Sequence, residues 1–399
     1  MINRPDYIAA IGPFIDKPLV KILAGIRRSG KSTIFEMLRE ELLRRGIGED
    51  QIICKRYTEM DIPENITAKQ MYDELTAAMA DKGHCCLLLD EIQEITGWEK
   101  AVNSLLERAD ADIYVTGSNS KLMSSEISTY LTGRYVSIPV YTLSFKEYLD
   151  FKADSTLSRR ELLEEYIRFG GFPIIALSEY DEQSAYQIVN GIYHTVDSRD
   201  IVKRHRINKQ DLFDRVVKYI IENMGKTFSA NSISTFLKSE HRKVSVESIY
   251  NYLRWLEQAF IIYPCERYDL QGKSILKTQE KYYLADVSLK YALLGYNRKM
   301  LDGAMENIVF LELKRRGYDV FIGKNDTKEI DFVATRRAER IYVQVCVRIP
   351  ETSDREVGNL MEIRDHYPKY VVTLNEMDTG IENGIKIVHL ADFLLAEAW

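Results

Sequence analysis

The sequence lacks the features that mark membrane-spanning, secreted or disordered proteins. It contains no run of about 18 apolar residues, which a membrane-spanning helix needs. Its start at Met1 lacks the basic-then-apolar order of a secretory signal. Hydrophobic residues make up 45% and charged residues 29% of the 399 positions, which is typical of a soluble globular protein. We therefore expect a cytoplasmic protein without membrane contact.

Cysteine is also scarce, with five residues and no C-x-x-C spacing. Cys85 and Cys86 lie side by side in an apolar run, so we interpret the cysteines as reduced core residues. His84 precedes this pair, but consecutive residues on a strand point to alternating faces and cannot easily converge on one ion. We expect no metal site there.

The length of 399 residues predicts two to three domains. Short apolar runs alternate with helical stretches before residue 150, which is typical of a parallel sheet with crossover helices. After residue 286 the order of elements is α-β-β-β-α-β. The predicted regions are an α/β domain over 1–150, a helical linker or lid over 151–210, a three-helix module over 211–285, and a second α/β domain over 286–399.

Residues 25–32 fit the phosphate-loop pattern G-x-x-x-x-G-K-[ST], between a predicted strand at 19–24 and a predicted helix at 33–45. Backbone N–H groups of such a loop surround phosphates, Lys31 reaches the β- and γ-phosphates, and the Ser32 hydroxyl holds Mg²⁺. The alternative is a glycine-rich turn without a ligand. The predicted nucleotide contacts are Gly25, Arg28, Ser29, Gly30, Lys31, Ser32, Thr33 and Ser118.

Two carboxylates, Asp90 and Glu91, follow the buried run that begins at Cys85. A phosphate loop needs an acid at the end of a neighbouring strand, and Asp90 would position Mg²⁺ there. Glu91 would orient or polarise the attacking water, which favours hydrolysis over binding alone. The alternative is a pair of acids that suits the N-terminus of a following helix.

Two further positions resemble functional sites of AAA+ ATPases. Ser118 and Asn119 follow the strand at 112–116, where those proteins carry a group that senses the γ-phosphate. Arg134 precedes the strand at 135–140, from which they present an arginine to a neighbour's nucleotide. That role implies a homo-oligomer; the alternative is a surface arginine paired with an acid.

Motifs along nearly the whole chain resemble one large family, the bacterial and archaeal AAA+-type ATPases that carry a C-terminal domain of unknown function. The resemblance implies a P-loop AAA+-type domain over 1–150 and ATP as the nucleotide. The motifs are Arg27–Thr33, Leu88–Gln93, Thr116–Leu122, Leu131–Arg134, Leu143–Tyr148, Gly170–Pro173, Ala285–Leu289, Glu306–Asn307, Glu329–Phe332 and Tyr342–Val345.

The module at 211–285 contains three short helices followed by a strand and a polar hairpin, and this order resembles a winged helix. Residues 197–243 carry eleven Lys and Arg against six acids, in a chain whose net charge is −6. The negative net charge excludes a protein that coats nucleic acid with its whole surface, but this basic region is suited to duplex or branched DNA. Winged helices also bind proteins or serve only structure. The third helix offers Ser245, Ser248, Asn251, Tyr252 and Arg254 as groups that could face a DNA groove.

The region after residue 286 resembles the PD-(D/E)xK nuclease core. Glu306 and Asp331 match its acids, and Gln344 replaces the second acid of the motif. Cys346 stands where the lysine that activates water is expected, and a thiol cannot supply the ammonium charge. Lys324, Lys328 or Arg348 could take over the role. We expect a degenerate core that binds partners or nucleic acid without cutting it.

These observations lead to one leading hypothesis and two alternatives. The leading hypothesis is a Mg²⁺-dependent ATPase whose nucleotide state controls a winged-helix and nuclease-like C-terminal half, acting on DNA. The first alternative is a slow ATP-dependent regulatory switch that acts through protein partners without nucleic acid. The second is a defence nuclease driven by ATP.

Overall fold

The chain divides into two compact units, Met1–Val140 with Gln258–Phe260, and Tyr141–Glu257 with Ile261–Trp399. Among the residues described, no helix has the length and apolar character that crossing a bilayer demands. The computed structural model describes residues 3–59, 62–63, 66–108, 110–123, 131, 133–207, 209–242, 244–272, 274–297, 300–350 and 355–399.

A five-stranded sheet forms the centre of the first unit, in the order β2-β3-β4-β1-β5. All four neighbouring pairs are parallel, which confirms the predicted parallel α/β fold. Every residue of β3 is buried, because helices cover both faces of such a sheet. The strands are β1 (Val20–Ala24), β2 (Ile52–Arg56), β3 (Cys85–Asp90), β4 (Ala111–Gly117) and β5 (Tyr135–Pro139).

The helices of the first unit pack apolar side chains against this sheet, with Ile34, Leu38, Leu88 and Tyr114 among the buried core residues. The described helices are α1 (Pro5–Ile11), α2 (Lys31–Arg44), α3 (Ala68–Met79) and α4 (Trp98–Arg108). Because β1, β3 and β4 are parallel, their carboxyl ends meet at one edge of the sheet. This edge carries the phosphate loop, Asp90 and Ser118.

The cysteines fit the sequence interpretation with one exception. Cys85, Cys86, Cys265 and Cys346 are buried, whereas Cys54 is exposed on β2. The prediction that all five are core residues is therefore wrong at Cys54. β2 lies at the edge of the sheet, so one of its faces is less covered than those of the inner strands.

The first half of the second unit is helical. A π-helix at Val196–Val202 continues directly into the next helix, and buried Leu212, Phe213 and Ile249 contribute to the helical core. The helices are α5 (Phe145–Phe151), α6 (Arg159–Phe169), α7 (Pro173–Ala176), α8 (Glu182–Thr195), α9 (Lys203–His205), α10 (Gln210–Glu222), α11 (Ala230–Ser239) and α12 (Val246–Gln258).

The second half contains a mixed eight-stranded sheet, in the order β12-β13-β11-β10-β9-β8-β6-β7. Its strands are β6 (Ile262–Asp269), β7 (Ser274–Leu284), β8 (Asp319–Asn325), β9 (Lys328–Arg336), β10 (Glu339–Cys346), β11 (Lys369–Thr373), β12 (Gly380–Glu382) and β13 (Ile385–His389). Its helices are α13 (Ser288–Leu294), α14 (Leu301–Arg315), α15 (Arg355–Met361) and α16 (Leu390–Leu395).

The hairpin of β6 and β7 follows the three helices, as the sequence pattern predicts, but it does not stand alone. β6 pairs in parallel with β8, with Arg267 opposite Ile322. The hairpin therefore extends the sheet of the C-terminal region. Hydrogen bonding between these distant segments is a tertiary contact that the local pattern does not encode.

Two of the sequence motifs meet in the second unit. The Asp286 carboxylate accepts hydrogen bonds from the Gly171 N–H at 2.8 Å and from the Ser288 hydroxyl at 2.5 Å. Gly170 has a φ of +72°, and a Cβ there would lie 1.7 Å from Asp286 Oδ1. The motif at 170–173 is thus built directly onto the motif at 285–289.

Candidate functional site

The loop between β1 and α2 has the backbone of a phosphate cradle. Arg28 and Gly30 both have positive φ, at 66° and 97°, and Gly30 immediately precedes the first turn of α2. A Cβ on Gly25 would lie 2.0 Å from the carbonyl oxygen of Val140, so only glycine fits. The buried Ser29 hydroxyl has no hydrogen-bond partner among the described residues. These features match a loop shaped for a ligand.

Lys31 is held inside this loop, with only 4% of its surface exposed. Its ammonium donates to the carbonyl oxygens of Gly25 at 2.9 Å and Ile26 at 3.1 Å. It also lies 3.7 Å from Glu91 Oε1. The cation predicted to bind phosphate is therefore placed between the loop and the predicted base.

Asp90 lies at the carboxyl end of β3, and both of its carboxylate oxygens are engaged. The Ser32 hydroxyl donates to Oδ2 at 2.7 Å, and Arg56 Nε donates to the same oxygen at 3.0 Å. The Thr116 hydroxyl donates to Oδ1. The predicted pair of Mg²⁺-positioning residues, Ser32 and Asp90, is thus in direct contact, and Thr33 follows on the first turn of α2.

Glu91 has a positive φ of 54°, which turns the chain at the end of the strand. Its Oε2 accepts hydrogen bonds from Gln93 Nε2 at 2.5 Å and from the Ser118 hydroxyl at 3.2 Å. Burial alone would raise the pKa of Glu91, but the charges of Lys31 and Arg27 outweigh it and keep the pKa below the ordinary value. The predicted base is therefore ionised near neutral pH.

The side chains at this edge fit Mg²⁺ in the manner of a phosphate-loop site. A hydroxyl and a carboxylate are hard oxygen ligands, and Mg²⁺ bound with a nucleotide takes its remaining ligands from phosphates and water. No group of three or more His, Cys, Asp or Glu suited to a metal ion occurs among the described residues. A metal that depends on nucleotide phosphates does not need such a cluster.

The remaining predicted residues of the first unit lie in two places. Ser118 and Asn119 are buried directly after β4, at the same edge as Asp90. Arg134 is half-exposed and pairs with Glu107 at 2.8 Å. That pair corresponds to the alternative of a surface arginine, and a role toward a neighbouring subunit stays a prediction. Thr132 of the same motif lies outside the described residues.

Three further residues that contact the site have no role predicted from the sequence. The buried guanidinium of Arg4 donates to the carbonyl oxygen of Ser29 at 2.8 Å, which supports the phosphate loop from outside. Arg56 contacts Asp90, and Gln93 contacts Glu91. Gln93 belongs to a quoted motif, but Arg4 and Arg56 reach the site only through the fold, and no local pattern identifies them.

In the second unit, Glu306 and Asp331 come together around a lysine, Lys281. The ammonium nitrogen of Lys281 lies 3.4 Å from Glu306 Oε2, 2.9 Å from Glu329 Oε1 and 3.9 Å from Asp331 Oδ1. Burial raises the pKa of Glu306 and of Asp331, whereas the three carboxylates outweigh burial and raise the pKa of Lys281. Gln344 accepts a hydrogen bond from the Asp331 N–H at 3.3 Å.

The other sequence-predicted positions do not supply an observed ion pair to this cluster among the described residues. Cys346 is buried, and burial raises the pKa of its thiol to about 12, so it remains neutral. Lys328 pairs with Glu362 at 2.5 Å, Lys324 is half-buried on β8, and Arg348 is exposed. The cation in contact with all three carboxylates is Lys281 on β7, and the sequence pattern does not indicate it because β7 precedes the nuclease-like order of elements.

The basic region has two parts. In the three-helix part, Arg215 pairs with Glu240 and Arg242 with Asp211, while Lys243 lies outside the described residues. Preceding these helices, the π-helix, α9 and the segment after it present exposed cations. They are Arg199, Lys203, Arg204, Arg206 and Lys209.

The third helix, α12, is less suited to a DNA groove than its sequence suggests. Tyr252 is buried and packs on Phe213 with ring centroids 5.1 Å apart, so it is not available to a base. Ser245 and Ser248 form a hydrogen bond of 2.8 Å at the start of the helix. Asn251 and Arg254 line a cavity of about 650 Å³ whose wall also carries Glu257, Glu266 and Glu280. Carboxylates at this face disfavour contact with phosphates.

Comparisons with known proteins agree with the geometry. Residues 17–149 match the family described as AAA domain, and residues 160–299 match a domain of unknown function, DUF8612. An uncharacterized protein of Haemophilus influenzae is 36% identical over 400 residues, covering 99% of each chain. The uncharacterized protein MJ1544 of Methanocaldococcus jannaschii is 32% identical, covering 85% of this chain and 77% of its own.

A similarity of fold connects the chain to a solved ATPase. The Walker-type ATPase PABY2304 of Pyrococcus abyssi superposes with a TM-score of 0.53 at 14% identity, covering 73% of this chain and 96% of its own. At that identity the likeness concerns the fold alone. Together with the phosphate loop and the Asp90–Glu91 pair, the full-length match to the Haemophilus influenzae protein assigns the family. The chain belongs to the AAA-domain P-loop ATPases that carry a C-terminal domain of unknown function.

Proposed function

We propose that the chain hydrolyses ATP in a Mg²⁺-dependent reaction at the edge formed by the phosphate loop, Asp90 and Glu91. The observation that carries this proposal is the position of the ionised Glu91 carboxylate, 3.7 Å from the ammonium of Lys31. When bound, Mg²⁺ would be held by the Ser32 hydroxyl and Asp90 and would neutralise phosphate charge. The unpartnered Ser29 hydroxyl and the loop N–H groups supply further phosphate contacts.

The residues of the chain have distinct tasks in this proposal. Lys31 exchanges the carbonyl oxygens of Gly25 and Ile26 for phosphate oxygens. Glu91 accepts a proton from the attacking water, and the hydrogen bonds from Gln93 and Ser118 orient its carboxylate. Asn119 lies beside Ser118 and would contact the γ-phosphate.

We further propose that the nucleotide state controls the C-terminal half and that this half acts on DNA. The exposed cations between Arg199 and Lys209 support the DNA part, because five cations in eleven residues can neutralise several phosphates. Because carboxylates line the cavity beside α12, we expect the contact on this segment and not on α12. A slow switch acting through protein partners is the alternative if DNA has no effect.

Arg134 would complete the site of a neighbouring copy in a homo-oligomer. Its half-exposed guanidinium pairs with the half-exposed Glu107, and an exposed pair of this kind separates at little cost. Light scattering with bound ATP tests this assignment. An ATP-bound monomer with full activity would contradict it.

Cleavage of DNA by the C-terminal cluster is not part of the proposal. Lys281 places its charge among Glu306, Glu329 and Asp331, and a metal ion would have to displace that ammonium to use the same carboxylates. Plasmid incubated with Mg²⁺ or Mn²⁺ should stay intact. Metal-dependent nicking that is lost in Asp331→Ala would instead support the ATP-driven nuclease.

The first test is the steady-state ATPase rate with Mg²⁺, with and without duplex and branched DNA at fixed low salt. Glu91→Gln serves as the blank. A rate that rises with DNA and disappears in the blank supports the DNA-acting ATPase. The partner-regulated switch is supported if turnover is slow, does not change when DNA is added, and nucleotide stays bound. Equal turnover in the blank would contradict the role of Glu91.

A further inference from the structure

Arg56 is the one cation that donates directly to Asp90 among the contacts described for this carboxylate. It ends β2, where the parallel register places it beside Asp90 at the end of β3. Tyr57, the next residue, donates its N–H to the Asp90 carbonyl at 3.1 Å and fixes the two backbones together. The guanidinium therefore meets the Asp90 carboxylate as a consequence of strand pairing.

The contact falls on the same oxygen that Ser32 uses. Arg56 Nε and the Ser32 hydroxyl both donate to Asp90 Oδ2, at 3.0 Å and 2.7 Å. A divalent cation held by Ser32 and Asp90 would need lone pairs that these two donors now engage. It would also meet the positive charge of the guanidinium at close range.

Arg56 has a second acceptor within reach. Its NH1 lies 3.6 Å from Glu59 Oε1, and Glu59 is 52% exposed, whereas Asp90 is 6% exposed. Arg56, Glu59, Ser32 and Asp90 all line one cavity of about 270 Å³. The guanidinium, itself 43% exposed, can therefore turn from the buried carboxylate to the exposed one without displacing core side chains.

We propose that Arg56 gates the magnesium position. Without nucleotide its guanidinium holds Asp90 and Ser32 in a closed arrangement, and when Mg²⁺ binds with nucleotide it moves to Glu59. Arg56 is thus a positioning residue that sets how much free Mg²⁺ the site requires. The gate rests on the proposed role of Ser32 and Asp90 as the residues that hold Mg²⁺.

The test measures release of a fluorescent ADP analogue as free Mg²⁺ is raised, which needs no hydrolysis. Bound Mg²⁺ should slow the release of ADP. The readout is the midpoint, which is the free Mg²⁺ concentration that produces half of the maximal decrease in the release rate. Arg56→Gln should lower this midpoint about fivefold, the effect of removing a partly exposed charge next to the cation. Arg39→Gln is the matched control, because Arg39 pairs with Glu49 in the same unit, and its midpoint should stay that of the wild type.

A double-mutant cycle separates the gate from general electrostatics. Glu59→Gln weakens the second acceptor and should raise the midpoint about threefold in the wild-type background. In the Arg56→Gln background the same change should have no further effect. Because Glu59 is exposed, the measurement of Glu59→Gln in the wild-type background does not depend on whether Arg56→Gln folds well.

The outcomes distinguish the gate from the function on which it rests. The gate alone is contradicted if Arg56→Gln leaves the midpoint unchanged or raises it. It is also contradicted if Glu59→Gln has the same effect in both backgrounds. If the rate of ADP release from the wild-type protein does not depend on Mg²⁺, Ser32 and Asp90 do not hold Mg²⁺. The gate is then contradicted as well. The gate and the assignment of Ser32 and Asp90 are both supported if Arg56→Gln lowers the midpoint and Glu59→Gln then has no further effect.

Discussion

The ammonium group of Lys281 lies 3.4 Å from the carboxylate of Glu306, although one residue belongs to a strand and the other to a helix 25 residues further along the chain. The side chain of Lys281 is 5% exposed and that of Glu306 is 14% exposed. Lysine is rarely buried unless acids pair with its charge. We therefore interpret the acids around Lys281 as its ion-pair partners and not as a separate site.

Lys281→Gln should therefore destabilise the second unit strongly. Removing one partner leaves buried carboxylates without their cation, which typically costs about 3–5 kcal/mol. Urea unfolding monitored by circular dichroism measures the change. Lys328→Gln is the control, because its pair with Glu362 is exposed and is expected to contribute less than about 1 kcal/mol. Equal stability of the two variants would refute the central place of Lys281.

Lys31→Ala and Glu91→Gln should separate binding from hydrolysis. Lys31 occupies the interior of the phosphate loop, so its loss should abolish tight ATP binding. Glu91→Gln keeps the shape of the side chain but not its basicity, and we expect ATP binding within about threefold of wild type with turnover reduced about 10²–10⁴-fold. Equilibrium binding and single-turnover assays give the two quantities. A Glu91→Gln protein that turns over normally would exclude the general-base role.

The acid limb of the ATPase pH profile should respond to Arg27. The positive charges of Lys31 and Arg27 keep the pKa of Glu91 below its ordinary value of 4.5, so the base stays ionised until the pH falls below that value. Arg27→Gln removes one of these charges, raises the pKa of Glu91 and should move the acid limb to higher pH. The pH dependence of kcat/KM measures this, and a limb that stays in place or moves lower contradicts the assignment.

Stability should depend on pH through Asp197 in the π-helix. Burial, followed by the charge of Asp214, raises its pKa from 3.8 to about 6, despite the opposing effect of His194. An acid whose pKa is higher in the folded chain stabilises the fold when protonated. This contribution is complete below pH 3.8 and is lost as the pH rises through about 6. Asp197→Asn should flatten this part of the stability curve in thermal unfolding at pH 5 and pH 8; an unchanged curve would count against Asp197.

Gly170→Ala should lower the stability of the fold far more than another glycine substitution in the same unit. At Gly170 the new Cβ would clash with Asp286 Oδ1 and the φ is +72°. At Gly191, within α8, a Cβ meets nothing within 4 Å, and alanine should stabilise the helix by up to about 1 kcal/mol. Comparing the two melting temperatures tests the prediction. Similar shifts in both would show that the contact with Asp286 does not constrain residue 170.

Local patterns were sufficient to bring the phosphate loop, Asp90 and Glu91 together at one edge of the sheet, but they did not indicate the C-terminal cluster. The phosphate loop, Asp90 and Glu91 were predicted because spacing around a buried strand fixes their geometry. Lys281 could not be found in this way, since it joins Glu306 and Asp331 only after β7 pairs into the sheet. Arg56 is a similar case, because its proximity to Asp90 follows from strand register.

Tertiary contacts explain two smaller differences. Tyr252 was expected to face a DNA groove, but the apolar face of α12 turns it toward Phe213. The hairpin of β6 and β7 was expected as a wing, and its polar composition gave no sign that β6 pairs with β8. In both cases a tertiary contact determines where the segment packs, and the local helical or strand pattern does not encode that contact.

The bond between Asp286 and Gly171 also affects how the protein is made. A ribosome synthesises residue 171 well before residue 286, so the Gly171 N–H lacks its Asp286 acceptor until more than a hundred further residues have been added. The five strands of the sheet in the first unit are all synthesised by Pro139. During translation the five-stranded sheet can therefore form first, while the turn at Gly170 and Gly171 gains its contact with Asp286 only after most of the second unit has been made.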